Sequence, residues 1–115
     1  MDVPKNVQDK LAQFQNLQNQ VQLISMQKQQ LMLQNTDIGN ARKELEAFEK
    51  GKVYRLVGPI LVETSKEDGL KNLSDESESA DAKIKVLEKQ EKKLVEKLNE
   101  MRGELQQMIQ PPGSG

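Results

Sequence analysis

The stretch that decides the fold lies near the middle of the chain, where residues 53–62 read Val53-Tyr54-Arg55-Leu56-Val57-Gly58-Pro59-Ile60-Leu61-Val62. Most of these side chains are β-branched, aromatic or otherwise apolar, which favours extended strands. The Gly-Pro pair at the centre is a turn signal. The pattern predicts a β-hairpin over about residues 52–64, with strands near 52–57 and 60–64.

The predicted hairpin is apolar on both faces, because its apolar side chains occupy both sets of alternating positions. An isolated two-stranded hairpin is marginally stable in water, and its open edges can accept further strands. We therefore expect the hairpins of several subunits to assemble into a sheet or barrel. A hairpin folded back onto its own helices is the alternative.

On either side of the hairpin, apolar residues recur at spacings of three and four, which is the heptad pattern of a coiled coil. The first seam comprises Phe14, Leu17, Val21, Ile24, Lys28, Leu31, Asn35, Ile38, Arg42 and Leu45. The second comprises Leu73, Ser77, Ala80, Ile84, Leu87, Glu91, Leu94, Leu98, Met101, Leu105 and Met108. The polar members resemble residues that set the register of a coiled coil, although Arg42 and Glu91 are not expected to pair.

The helix boundaries follow from local signals. Asp2 or Asn6 can cap the first helix and Pro4 suits its first turn, while Thr64 or Ser65 can cap the second helix. Pro111-Pro112 is expected to stop the second helix. The chain is thus predicted to be mainly α, a single domain over residues 1–115: a helix at about 4–50, the hairpin, an antiparallel helix at about 66–110, and a tail at 111–115.

The composition excludes most chemistry. The 115 residues contain no Cys and no His, so thiolate nucleophiles, zinc–thiolate clusters and imidazole bases are all missing. We expect no enzymatic activity, no cofactor and no metal. The net charge of −1 favours neither nucleic acid nor a membrane as a partner. Without a membrane-spanning run or a signal-peptide pattern, the expected location is the cytoplasm.

Apolar residues are also found where the two predicted helices end together, away from the hairpin. Candidates for binding other proteins there are Val3, Val7, Leu11, Leu105, Met108 and Ile109. Exposed apolar residues can bind varied partners, and methionine is well suited to this because its side chain is flexible. The alternative is that these residues form the last layers of the coiled-coil core.

The order helix, single hairpin and helix, with residues 53–62 at the bend and Pro111-Pro112 after the second helix, closely resembles the beta-type subunit of prefoldin. The resemblance covers the chain from about Val3 to Pro112. The hairpin segment is its most specific part, since any long helical hairpin has heptad seams. A single hairpin favours the beta type, because the alpha type carries two.

The resemblance implies an ATP-independent chaperone subunit, in which two alpha-type and four beta-type subunits join their hairpins into a β-barrel platform. It implies that the distal helix ends bind unfolded client proteins and pass them to a group II chaperonin. Client binding then falls on the six candidates above. Oligomerisation falls on Val53, Tyr54, Leu56, Val57, Ile60, Leu61 and Val62. The alternative function is a structural coiled-coil adaptor that docks a folded partner through its hairpin.

Overall fold

The computed structural model describes residues 3–109, so Asp2, Pro111-Pro112 and the predicted tail lie outside the described residues. Two long helices flank one antiparallel β-hairpin: α1 spans Lys5–Ala47, β1 Val53–Val57, β2 Ile60–Thr64 and α2 Lys66–Ile109. The predicted fold class, mainly helical with a single hairpin between two long helices, is confirmed.

The chain divides into two compact units. The terminal unit contains the first part of α1, up to residue 28, and α2 from residue 86 onward. The hairpin unit contains residues 29–85 and therefore includes both strands. In each unit a segment of α1 packs antiparallel to a segment of α2.

The predicted seams line these helix–helix contacts. Every member of the first seam except Arg42, and every member of the second except Met108, is buried or half-buried. Within the described residues, none of the large side chains is completely buried. Two helices in contact shield one strip of each other, so the seams are protected while the rest of both surfaces faces water.

Polar side chains fix the register inside each unit. In the terminal unit, Lys10 forms an ion pair with Glu104, and Lys28 Nζ lies 2.8 Å from Glu91 Oε1. In the hairpin unit, Asn35 Nδ2 donates to Asp81 Oδ1 at 2.7 Å. Ser77 Oγ donates to Asn35 Oδ1 at 2.9 Å. Because these contacts join partners far apart in sequence, they oppose sliding of one helix along the other.

The junctions between helices and hairpin have specific hydrogen bonds. α1 ends at Ala47, before the expected end near residue 50, and Lys66 Nζ donates to the carbonyls of Glu46 and Phe48 at 2.9 and 3.0 Å. A lysine can thus satisfy carbonyls left unpaired at a helix C-terminus. At the start of α2, Asp68 N donates to Ser65 Oγ at 3.0 Å, which confirms Ser65 as the cap.

At the start of α1, the carbonyl of Pro4 accepts from the amides of Val7 and Gln8, both at 3.0 Å. Pro4 therefore immediately precedes α1, one residue before the first turn in which it was expected. Asn6 lies within the first turn and so does not cap the helix. An N-cap must precede the first helical residue, because it contributes only its carbonyl to the intrahelical bonding.

Candidate assembly and client-binding surfaces

The hairpin has a tight, two-residue turn. Val57 pairs with Ile60, and the register continues outward to Val53 opposite Thr64. Gly58 has φ 58°, in the left-handed region that glycine adopts at little cost. A glycine at the first central position is typical of the type II′ turn, whose twist matches that of the flanking strands. This geometry agrees with the turn expected from the Gly-Pro pair.

The hairpin presents apolar side chains to solvent on both faces. Six of the seven residues predicted for oligomerisation are exposed, and Val53 is half-buried. Leu56 and Leu61, which lie opposite each other, are 69% and 67% exposed. Complete burial of such a side chain contributes about 1.5–3 kcal/mol, so covering this hairpin would be strongly favourable.

The base of the hairpin is attached to the helices. Gly69 of α2 approaches α1 so closely that a Cβ there would lie 2.9 Å from Leu45 Cδ2, with Val53 Cγ1 at 3.8 Å. Arg55 Nη2 also lies 3.6 Å from Glu76 Oε1 on α2. The alternative of a hairpin folded back onto its own helices therefore applies to the base, while the side chains nearer the turn stay exposed.

The six residues predicted to bind clients divide into two groups. Val7 and Leu105 are 4% and 6% exposed, which places them in the core of the terminal unit. The other four are exposed, and we call them the terminal surface: Val3, Leu11, Met108 and Ile109. The ion pair between Lys10 and Glu104 brings the beginning of α1 and the end of α2 together. The terminal surface therefore lies at one end of its unit.

The sequence did contain a signal for this division. Val7 lies one heptad before Phe14 and so continues the first seam, while Leu105 is itself a member of the second seam. Sequence reasoning also missed Arg102, whose guanidinium lies 5.9 Å from the centroid of the Phe14 ring. An arginine at this distance can interact with the ring face and cover it. Phe14 is thus both a half-buried member of the first seam and the contact partner of Arg102.

Comparison with known proteins identifies the family. The family model described as "Prefoldin subunit" matches residues 8–111. The chain belongs to the prefoldin family. Its curated relatives include the prefoldin beta subunit of Thermococcus kodakarensis, 36% identical over 99% of this chain and 98% of that protein. The beta subunit of Archaeoglobus fulgidus is 37% identical over 96% of both proteins.

Solved structures agree with this assignment. The crystal structure of the prefoldin beta subunit from Thermococcus strain KS-1 matches with a TM-score of 0.85 and 36% identity, over 96% of this chain and 98% of that one. The beta2 subunit from the same strain matches with a TM-score of 0.72 at 23% identity, which supports the fold alone. The resemblance to beta-type prefoldin is therefore confirmed.

Membership in this family answers several of the sequence-based questions. Prefoldin is a family of non-enzymatic chaperone subunits, which agrees with the expectation of no enzymatic activity. Prefoldin beta subunits form hetero-oligomers with other prefoldin subunits. Across residues 3–109, no helix is both long and apolar enough to cross a membrane.

Proposed function

We propose that this prefoldin chain is an ATP-independent holdase, which captures unfolded proteins at its terminal surface and delivers them to a group II chaperonin. In the proposal it works in the cytoplasm, within a hexamer of two alpha-type and four beta-type subunits. Its seven apolar hairpin residues, Val53, Tyr54, Leu56, Val57, Ile60, Leu61 and Val62, form the platform.

The terminal surface is the observation that carries the client-binding part. Its four side chains are between 37% and 64% exposed, although each is apolar and long enough to contact another chain. Exposed apolar side chains grouped at one place are typical of binding sites. In the proposal, Val7 and Leu105 do not contact the client. Because they are buried between the two helix ends, they hold these ends together and so support the exposed residues.

Several weakly binding surfaces acting on one client explain how so small an apolar surface can suffice. Linked sites bind with a raised effective concentration, so avidity exceeds the affinity of each site. The hairpin supports this part of the proposal, since its exposed apolar residues need partners and assembly would supply them. Client capture and assembly are thus assigned to different units of the chain.

The test measures aggregation of a chemically denatured protein, without nucleotide, in the presence of the chain assembled with its alpha-type partner. We expect the complex to suppress light scattering by the denatured protein. A terminal-surface variant, with serine at positions 3, 11, 108 and 109, should lose most of this suppression. Light scattering of the complex alone should show an unchanged mass.

The matched control places serine at four apolar residues that lie elsewhere and are on average more exposed: Leu23, Met26, Leu33 and Val86, at 57%, 60%, 68% and 54% exposure. This control should suppress aggregation as well as the original chain. Full suppression by the terminal-surface variant would refute the assignment of client binding. A stable one-to-one complex with a folded partner, and no larger assembly, would favour the adaptor function.

A further inference from the structure

The sulfur of this chain is confined to methionine. The sequence has five methionines and no cysteine. A peroxide converts the methionine thioether into a sulfoxide, and without cysteine this reaction has no competing thiol in the chain. Met1 lies outside the described residues, and the other four lie on the helices: Met26, Met32, Met101 and Met108.

The four described methionines differ in accessibility and in place. Met26 and Met32 are 60% and 50% exposed, but they lie on α1 outside the seam. Met101 belongs to the second seam and is half-buried. Met108 is 37% exposed and belongs to the terminal surface. Among the described methionines, Met108 alone is both accessible to a small oxidant and placed at the proposed client-binding site.

The second seam becomes accessible within one turn of α2. Leu105 is 6% exposed, whereas Met108, three residues later, is 37% exposed. Ile109, the last residue of α2, is 64% exposed. A thioether is apolar and flexible, so it adapts to varied apolar partners. A chemical change at the Met108 sulfur therefore acts where the apolar end of α2 first meets solvent.

We propose that Met108 is a modification site, at which oxidation by hydrogen peroxide weakens client capture. The sulfur attacks one peroxide oxygen, so that an S–O bond forms while the O–O bond breaks. The other oxygen takes up the remaining proton and leaves as water. The sulfur loses two electrons and the peroxide gains them. This inference rests on the proposed client-binding function and adds a regulation of the same surface.

The sulfoxide changes the kind of contact that Met108 offers. Its oxygen accepts hydrogen bonds, and an apolar client segment supplies no donor, so removing this oxygen from water on binding is unfavourable. The weakening is amplified when several surfaces act on one client, because avidity depends on all of them. Sulfoxide reductases can return the thioether, so the change is reversible.

The test oxidises the full-length chain with hydrogen peroxide, removes the peroxide, and assembles the chain with untreated alpha-type partner. Peptide mass spectrometry measures the sulfoxide at each methionine. The dose is set to convert Met108 while Met101 stays intact and the circular dichroism is unchanged. The original chain is compared with Met108→Leu and with a matched control that carries both Met26→Leu and Met32→Leu. Each complex is compared with its own untreated sample, so any effect of leucine itself cancels.

Oxidation should raise the amount of original complex needed for half-maximal suppression of aggregation by at least about fivefold, since a polar group is placed against apolar surface. The control lacking Met26 and Met32 should lose the same factor, because it retains Met108. The Met108→Leu complex should change little on oxidation. Reductases for both sulfoxide epimers should restore the oxidised original chain.

A glutamine at position 108 tests the same idea without peroxide. Met108→Gln introduces a polar side chain of similar length, so it should reproduce the loss of suppression. Met26→Gln makes the same change at a more exposed position outside the terminal surface and should leave suppression unchanged.

Other results would overturn the inference. Unchanged suppression by a complex whose Met108 is fully converted would show that oxidation there does not control client capture. An equal loss in the Met108→Leu complex would place the oxidation-sensitive residue elsewhere. Conversion of Met101 before Met108 would contradict the order of accessibility. Failure of the untreated original complex to suppress aggregation would instead contradict the proposed function itself.

Discussion

Lys28 and Glu91 are charged residues placed in the apolar seams, and they contact each other at 2.8 Å in the terminal unit. The hydrogen bond to Glu91 raises the pKa of Lys28 above its usual value of 10.5, although partial burial opposes this. The charges of Glu91 and Glu88 add to the increase. Both side chains are only about a fifth to a quarter exposed. The pair therefore favours one register of the two helices.

The raised pKa of Lys28 predicts a pH dependence at the alkaline end. A group with a raised folded-state pKa stabilises the fold below its unfolded value of 10.5, and this contribution is lost as pH rises through the folded value. Above about pH 10.5, the free energy of unfolding should therefore fall more steeply in the original chain than in Lys28→Met. Urea unfolding followed by circular dichroism measures this, and parallel slopes would contradict it.

Two glycines inside the helices predict stabilising substitutions. A Cβ added at Gly39 or Gly103 would meet nothing within 4 Å. Because alanine favours a helix over glycine by about 1 kcal/mol, Gly39→Ala and Gly103→Ala should each raise stability by up to about that amount. Gly58→Ala is the contrasting control and should destabilise by about 1–3 kcal/mol, since its φ of 58° is unfavourable for alanine. Thermal unfolding of the three variants tests both signs.

The hairpin is the element in which local stability and assembly are most closely linked. Its base is held by Arg55 and by the close approach at Gly69, but its turn end projects exposed Val57 and Ile60. A two-stranded sheet of five residues per strand has little stability of its own. In the proposed assembly, its apolar residues therefore contribute most of their stabilising effect after another subunit covers them.

Charge placed in the hairpin should separate subunits without unfolding the helices. Val57→Asp or Ile60→Asp would bury an unpaired carboxylate in the proposed interface, which is strongly unfavourable. We expect dissociation on size-exclusion chromatography, with the helical circular dichroism signal largely retained.

Val86→Asp is a matched control for the hairpin substitutions, because Val86 is 54% exposed but lies on α2 outside the hairpin. It should leave the mass unchanged. Normal elution of both hairpin variants would show that the hairpin is not the interface.

At the scale of the whole chain, three groups of apolar residues stand out, although exposed apolar side chains also occur elsewhere on both helices. The seams join the helices, the hairpin exposes six large apolar residues, and the terminal surface exposes four more. A composition with 3% aromatic residues leaves little material for a compact core. The hydrophobic stabilisation that a globular domain obtains internally is thus available here for contacts with other proteins.

Multivalent capture predicts a steep response to damaged subunits. When the terminal-surface variant is mixed with the original chain before assembly, suppression of aggregation should fall faster than the fraction of variant rises. The reason is that avidity depends on several surfaces acting together. Aggregation assays across a series of mixing ratios measure the curve. A linear decline would indicate that each subunit binds clients independently.

The sequence by itself determined the elements and their order. Heptad spacing depends on neighbours three and four positions away, and the turn depends on Gly58-Pro59. Both patterns lie within short stretches of sequence, so they can be recognised without knowing the tertiary structure. For the same reason the sequence limited the cap of α2 to Thr64 or Ser65, and the structure then selected Ser65. The resemblance to beta-type prefoldin also came from this order, with residues 53–62 as its most specific part.

Only the tertiary structure decided which side chains meet. The pairing of Lys28 with Glu91 and the contact of Arg102 with Phe14 both join residues far apart in sequence. The same applies to the early end of α1, where Lys66 satisfies the carbonyls of Glu46 and Phe48. Such contacts depend on the rotation and register of packed helices, and periodicity alone leaves both open.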